Sequence, residues 1–417
     1  MSELLSFESA LKRLVAGAAQ VATGSEAVAT LAALGRVLAT DVTSEVAVPP
    51  LDNSAMDGYA VRSADITSAG VRLPVSQRIA AGSVGEPLLP GTAARIFTGA
   101  PVPSGADAVV MQEHCVRNAD AVQLNHVAQA GDNVRRCGED IAPGQVVLAA
   151  GTRLGPAHLG VAASVGAATL TVRKRLRVAL FSTGDELVMP GESLRPGAIY
   201  NSNRYTLHAL LSELGCSVSD LGIVPDELEA TRAVLREAAH GHDLILTSGG
   251  GSVGEEDHVK AAVDAEGQLD LWTLAIKPGK PLAYGQVHRQ VGAGNTAIVP
   301  VQAAFIGLPG NPVSSFVTFV MLVRPFILAA MGAHEAAAPP RRMTAAFEWP
   351  RAGKSEARRE FLRARIGPDG RLKLYPSQGS GVLTSCVWAD GLVDNPPGHK
   401  IQPGDTVDFL PFSEWLR

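Results

Sequence analysis

From Arg177 onward, short apolar runs alternate with longer amphipathic stretches, and a glycine-rich turn follows several of the runs. Residues 178–181, 218–224, 244–246, 282–284 and 305–308 have the length and β-branched or aliphatic content of buried strands. Residues 205–214, ended by Gly215, and 226–239 carry helical spacing, and a further helix is expected after Pro312. Strand–loop–helix alternation predicts a parallel sheet with helices on both faces, and such sheets bind ligands beyond the carboxyl ends of their strands.

The flanks read differently. Ser6 is placed to cap a first helix with Leu11, Leu14 and Val15 on its apolar face, and a second helix is predicted over 26–34, stopped by Gly35. The chain then turns extended over 42–48 and meets Pro49-Pro50. Between about 50 and 140, runs at 59–62, 75–79, 93–97, 108–111 and 121–124 are separated by Gly, Pro, Asp and Asn, as in a small β-rich domain. After 336–340, short strand-like runs at 344–349, 361–366, 372–375, 391–393 and 406–409 predict a small C-terminal β-barrel or sandwich. The expected fold is therefore multidomain α/β plus β. A discontinuous N-terminal domain (1–45 and 141–176) is interrupted by a β-rich domain (46–140), then come a parallel α/β domain (177–335) and a β-barrel (336–417).

Composition narrows the function. Hydrophobic residues make up 46% of 417, enough for packed cores in a chain this long. Aromatics at 5% and a net charge of -5 argue against a nucleic-acid binder. The four cysteines, at 115, 137, 216 and 386, have no CxxC spacing, which suggests a reducing cytoplasm rather than a zinc site or a disulfide framework. The start of the chain lacks a basic-then-apolar leader, and the apolar run 316–331 is broken by Arg324-Pro325, so a buried helix is expected there and no membrane span.

Three loops carry chemistry: Ser182-Thr183-Gly184-Asp185-Glu186-Leu187, Ser248 to Asp257, and Gly307 to Ser315. Glycines let backbone N–H groups close on an anion, and helix N-termini favour negative charge. The acids among them would repel a phosphate unless a divalent cation such as Mg²⁺ lay between. Each loop has a plainer reading as well. Asp185 and Glu186 suit a turn, Gly249, Gly250, Gly251 and Gly254 suit tight packing, and Asn311 and Pro312 suit an ordinary helix entry. Lys277-Pro278-Gly279-Lys280-Pro281 is either a surface turn or a pair of cations awaiting an anion. Asp52, Asp57 and Arg62 either form local turns or face a cleft, and Arg95 to Ala100 and Gly138-Glu139-Asp140 are similar in kind. No Ser-His-Asp or Cys-His nucleophile is visible. Of the ten histidines, only His258 adjoins these loops.

In order along nearly the whole chain, segments 52–61, Phe97-Thr98-Gly99-Ala100, Gly138-Glu139-Asp140, 182–187, Asn201-Ser202-Asn203, 248–257, 277–281 and 307–315 resemble the MoeA family of molybdopterin molybdenumtransferases, which includes gephyrin E-domain-like proteins. The resemblance implies an elongated four-part homodimer in which the α/β part is MogA-like. It implies Mg²⁺-dependent insertion of molybdate into adenylylated molybdopterin with release of AMP, in the cytoplasm. A MogA-type adenylyltransferase and molybdoenzyme maturation factors are implied as further partners. By matching motif, it marks Asp57, Thr98, Asp140, Glu186, Asp226 and Asp257 as catalytic, with Glu186 and Asp257 placing the metal. It marks Ser182, Gly184, Asp185, Gly249, Gly250, Ser252, Gly254, Lys277, Lys280, Pro309, Gly310, Asn311, Pro312 and Ser314 as substrate contacts. Arg359 and Ser380 are the implied oxyanion contacts, or else a salt bridge and a turn. Asp57 would reach in from the β-rich domain. Two departures from the family pattern are Gly251, where a larger apolar residue is usual, and Asn395-Pro396-Pro397 near the end. The competing expectations are a molybdopterin adenylyltransferase and a non-catalytic peptide-binding scaffold. The choice between molybdate and tungstate is not readable from residues.

Overall fold

The computed structural model describes residues 4–21, 23–249, 258–288, 302–334, 339–350 and 357–416. Its central six-stranded sheet runs, edge to edge, Ser217–Val224, Arg177–Thr183, Leu244–Ser248, Gln302–Leu308, Pro281–His288 and Gly267–Thr273. The first four strands are parallel. Alternate residues of these strands feed two separate cores. Val178, Leu180, Leu244, Leu246 and Ile306 enter one, together with Leu207, Leu211 and the apolar helix Pro312–Ala330. Ala179, Phe181, Ile245 and Phe305 enter the other, with Leu235 and Ala238 of helix Leu228–Gly241 and Val259 of helix His258–Glu266. Burial on both faces is why these strands read as unbroken apolar runs.

The last two strands depart from the expected parallel pattern: Pro281–His288 runs antiparallel to both its neighbours. Only the turn 274–280 separates it from Gly267–Thr273, and a connection that short cannot make a parallel crossover. The apolar helix spans Pro312 to Ala330, with 94% of its most apolar window buried inside the protein. It shifts to a π turn over Phe319–Val323 just before Arg324-Pro325. Pro325 has no N–H to donate to the preceding turn, which accounts for the irregularity.

The segments on either side of the β-rich domain meet through two short antiparallel pairings. Ser25–Ala29 pairs with Thr169–Arg173, and Val42–Thr43 with Val146–Leu148, over a core that includes Ala33, Leu38, Leu154 and Leu170. Two features differ from the sequence reading. The helix predicted over 26–34 is instead strand Ser25–Ala29 followed by a short 3-10 turn at Thr30–Ala32. Cross-strand pairing overrides a weak local helix preference there, and Leu31, which a helix would have packed, is 93% exposed. The first helix, Phe7–Ala18, capped by Ser6 Oγ accepting from Ser9 N at 3.2 Å, packs on the long helix of the α/β core rather than on the N-terminal unit.

The β-rich domain is a six-stranded sheet in the order Ala108–Met111, Gly58–Val61, Ala93–Ile96, Val71–Ile79, Ala121–Leu124, Cys115–Asn118. The C-terminal sheet orders Ile276–Lys277, Arg359–Ile366, Gly391–Asn395, Thr406–Pro411 and Arg341–Thr344, with Leu372–Leu374 joined to Arg359–Ile366. Its first strand is borrowed from the α/β unit, so the Lys277 turn is stitched to the C-terminal domain.

Candidate functional site

A cleft of about 1060 Å³ opens beyond the carboxyl ends of the parallel strands, where an α/β sheet exposes its loops. Each strand delivers one piece of the lining. Arg177–Thr183 leads to Gly184 and Glu186, Leu244–Ser248 leads to Gly249, and Gln302–Leu308 leads to Pro309, Gly310, Asn311 and Pro312. Asp226 arrives from the end of Ser217–Val224.

Gly249 is fixed by geometry. Its φ is +92°, its N–H donates to Leu308 O at 3.2 Å, and a Cβ there would lie 2.5 Å from Thr183 O. Gly249→Ala is therefore expected to cost about 1–3 kcal/mol in backbone strain and to push two cleft loops apart. Lower thermal stability together with weakened anion binding, measured on the same preparation, checks it. Gly279 is similarly constrained at φ +107°, with Thr318 Oγ1 occupying the space of a side chain.

The cationic wall comes from the 277–281 turn. Leu274 N donates to Lys280 O at 2.7 Å and closes it. Lys277 Nζ donates to Glu360 Oε1 at 3.1 Å, and Trp349 Nε1 donates to the other oxygen, Oε2, at 2.7 Å. Glu360 is 1% exposed, so one lysine is held by a buried carboxylate. Lys280 is exposed and has no ion-pair partner among the described residues. The third loop adds a helix N-terminus. Asn311 occupies the cap position, yet its carboxamide makes no capping bond, and Ser314 lines the cleft beside it. Val313 N donates to Ser380 O at 2.9 Å, joining this helix to the C-terminal loop that brings Gln378 and Ser380. Helix Ser202–Glu213 presents a second N-terminus, capped by Asn201, whose Oδ1 accepts from Arg204 N at 3.2 Å. Asn203 Nδ2 donates to Gly310 O at 2.7 Å and ties the two loops together. Lysines, helix N-termini and the carboxylates of Glu186 and Asp226 thus line one cavity.

Other candidates lie elsewhere. Ser182 is fully buried, 3.3 Å from Ser248 Oγ, beneath the floor. Asp185 does not line the cleft, and its Oδ1 accepts from Asp226 N at 3.5 Å. Arg359 points away: it pairs with Glu8 and, at 2.7 Å, with Asp394, and lies over the Phe7 ring. Its neighbour Arg358 lines the cleft instead. Adjacent residues entering a strand point to opposite sides, so a shift of one position exchanges cleft for core. Asp257, Gly250, Ser252 and Gly254 fall outside the described residues. Asn201 and Asn203, part of a matched motif but given no role there, line the cleft, and Arg358, Gln378 and Tyr200 are cleft residues that no motif singled out.

Asp57 and Thr98 meet in the β-rich domain, outside this cleft. Asp57 Oδ1 accepts from Thr98 N at 2.8 Å and from Thr98 Oγ1 at 2.7 Å. These bonds, the backbone one first, hold the carboxyl below its ordinary value of 3.8. Because the folded pKa is depressed, the contact is intact above the ordinary range and is lost as pH falls through the lower, folded value. An acid titration of the Thr98 amide signal is expected to show its midpoint below 3.8. Asp140 N donates to Val48 O at 3.0 Å, and Asp52 accepts from Cys137 N and Arg136, so 48–57 and 136–140 form one braced surface.

Comparison with known proteins agrees with this arrangement. The MoeA N-terminal region (domain I and II) matches residues 5–166, the "Probable molybdopterin binding domain" matches 179–329, and the MoeA C-terminal region (domain IV) matches 345–412. The molybdopterin molybdenumtransferase of Haemophilus influenzae is 38% identical over 92% of this chain and 93% of its own. Molybdopterin molybdenumtransferase 2 of Mycobacterium tuberculosis is 40% identical over 87% of this chain and 89% of its own. A molybdopterin biosynthesis MoeA protein from Pyrococcus horikoshii superposes with a TM-score of 0.82 at 26% identity, covering 98% of this chain and 100% of its own. The chain belongs to the MoeA family, enzymes of molybdenum cofactor biosynthesis.

Proposed function

We propose that this chain is a molybdopterin molybdenumtransferase that joins molybdate to adenylylated molybdopterin and releases AMP. The observation that carries the reading is the pairing, in one cleft, of cations and helix N-termini with two carboxylates. The substrate is polyanionic and molybdate is an oxyanion, so their approach is opposed by charge. Lys277, Lys280 and Arg358 lower that repulsion, and Ser314 and Ser380 add hydroxyl contacts that orient the ligands. Lys277 is held in place by the buried Glu360, so the ligand does not have to order it on binding.

Glu186 and Asp226, which both line the cleft, suit a resident Mg²⁺, which takes one or two carboxylates and completes its shell with substrate phosphates and water; Asp257, the other position the resemblance implies for the metal, lies outside the described residues. Among the described residues there is no cluster of three ligand-type side chains. Bound there, Mg²⁺ would polarise the phosphoanhydride that is cleaved. Asp57 and Thr98 stand outside the cleft of their own chain, and Leu51 and Met56 beside them are 50% and 44% exposed. Those apolar side chains suit burial against a second copy, whose cleft would receive Asp57.

Two experiments test this. AMP release is expected to collapse on chelation with EDTA and to return with added Mg²⁺; release unaffected by EDTA would remove the metal. Mixed dimers of Asp57→Ala and Lys280→Ala chains are expected to regain part of the activity that each variant lacks alone. No recovery on mixing would return the site to one subunit.

A further inference from the structure

The cleft is lined mainly by charged, hydroxyl, amide, glycine and proline residues. Tyr200 is the one aromatic side chain that lines it among the described residues. Tyr200 is 44% exposed, and its ring makes no ring–ring or cation–ring contact among the described residues. Its hydroxyl donates to Glu192 O at 3.1 Å, so the ring is tethered at its far end. Ile199, 56% exposed, and Leu187 line the cleft beside it, because Leu187–Val188 pairs in parallel with Ile199–Tyr200. Leu187, Ile199 and Tyr200 thus sit together on the 187–200 segment of the lining, whereas its lysines lie on the 277–281 turn.

An exposed, anchored ring in a cavity that also holds two lysines suits a flat ring with a charged tail. The geometry points to Tyr200 as the stacking platform for a flat nitrogen heterocycle of the substrate, with the phosphoryl end directed to Lys277 and Lys280. This rests on the proposed reaction and adds to it the orientation of the ligand. Adenine and pterin share the required chemistry, and separate probes tell them apart.

The test measures equilibrium binding of AMP, of unsubstituted pterin and of pyrophosphate to the full chain and to Tyr200→Ala and Tyr200→Phe. Tyr200→Ala is expected to weaken AMP or pterin by about tenfold, the scale of one base–aromatic stack, while pyrophosphate changes less than about twofold. Tyr200→Phe keeps the ring and is expected to restore most of that loss, which a purely structural role of the hydroxyl tether would not do. A loss confined to AMP places adenine on Tyr200, and a loss confined to pterin places the pterin there. Unchanged binding of both rings to Tyr200→Ala overturns the inference but leaves the cleft assignment standing. Failure of pyrophosphate and both rings to bind the unaltered chain overturns both.

Discussion

Replacing Lys280 with alanine is expected to lower kcat/KM for molybdate-dependent AMP release by about 10²-fold, with little change in stability. The side chain is exposed to the cleft and pairs with no carboxylate among the described residues, so its loss leaves nothing buried and unsatisfied. Its charge acts in the proposed reaction where negative charge accumulates, and a preorganised group of that kind is typically worth two to three orders of magnitude in rate. Lys277→Ala is expected to be the more disruptive to structure, because Glu360, 1% exposed, then loses its cationic partner. Steady-state kinetics and thermal unfolding on both variants separate the two lysines. An active, stable Lys280→Ala would remove that residue from the site.

Arg363→Met is expected to cost about 3 kcal/mol and to loosen the loop that carries Ser380. Arg363 is fully buried. Its Nε donates to Ser385 Oγ at 3.1 Å, Nη1 to Phe361 O at 3.3 Å and Nη2 to Gly379 O at 3.0 Å. Burial lowers its pKa, so the guanidinium is kept there by those acceptors rather than by a facing carboxylate among the described residues. Methionine fills much of the space but donates to none of them, and buried carbonyls left unpaired cost about 1–3 kcal/mol each. Gln378, which donates to Arg363 O, and Ser380, which accepts from Val313 N, sit in the same loop. Hydrogen exchange at 378–381 is expected to accelerate, and the KM for molybdate to rise. Unchanged exchange there would confine the role of Arg363 to packing.

The sheet strands and the convergence of glycine loops on one cleft were legible because buried parallel strands leave continuous apolar runs, and ligands gather beyond their carboxyl ends. Four things were not legible. The short strand Ser25–Ala29 has no pattern of its own strong enough to outvote a helix, and depends on Thr169–Arg173, far along the chain. Choosing between Arg358 and Arg359 needs the register of a strand whose first residue pairs with Ile276 in another unit. Tyr200 lacks any motif of its own, since its place in the cleft comes from a two-residue pairing with Leu187–Val188. The resemblance marked Asp57 and Thr98 separately, with Asp57 reaching in from the β-rich domain, whereas their hydrogen bonding to each other is visible only in three dimensions.

The most direct measurement is AMP release from adenylylated molybdopterin in the presence of Mg²⁺, with and without molybdate. The account predicts release that depends on molybdate, with molybdenum cofactor appearing in step. Release that is absent in both conditions, or that proceeds equally without molybdate, would contradict it.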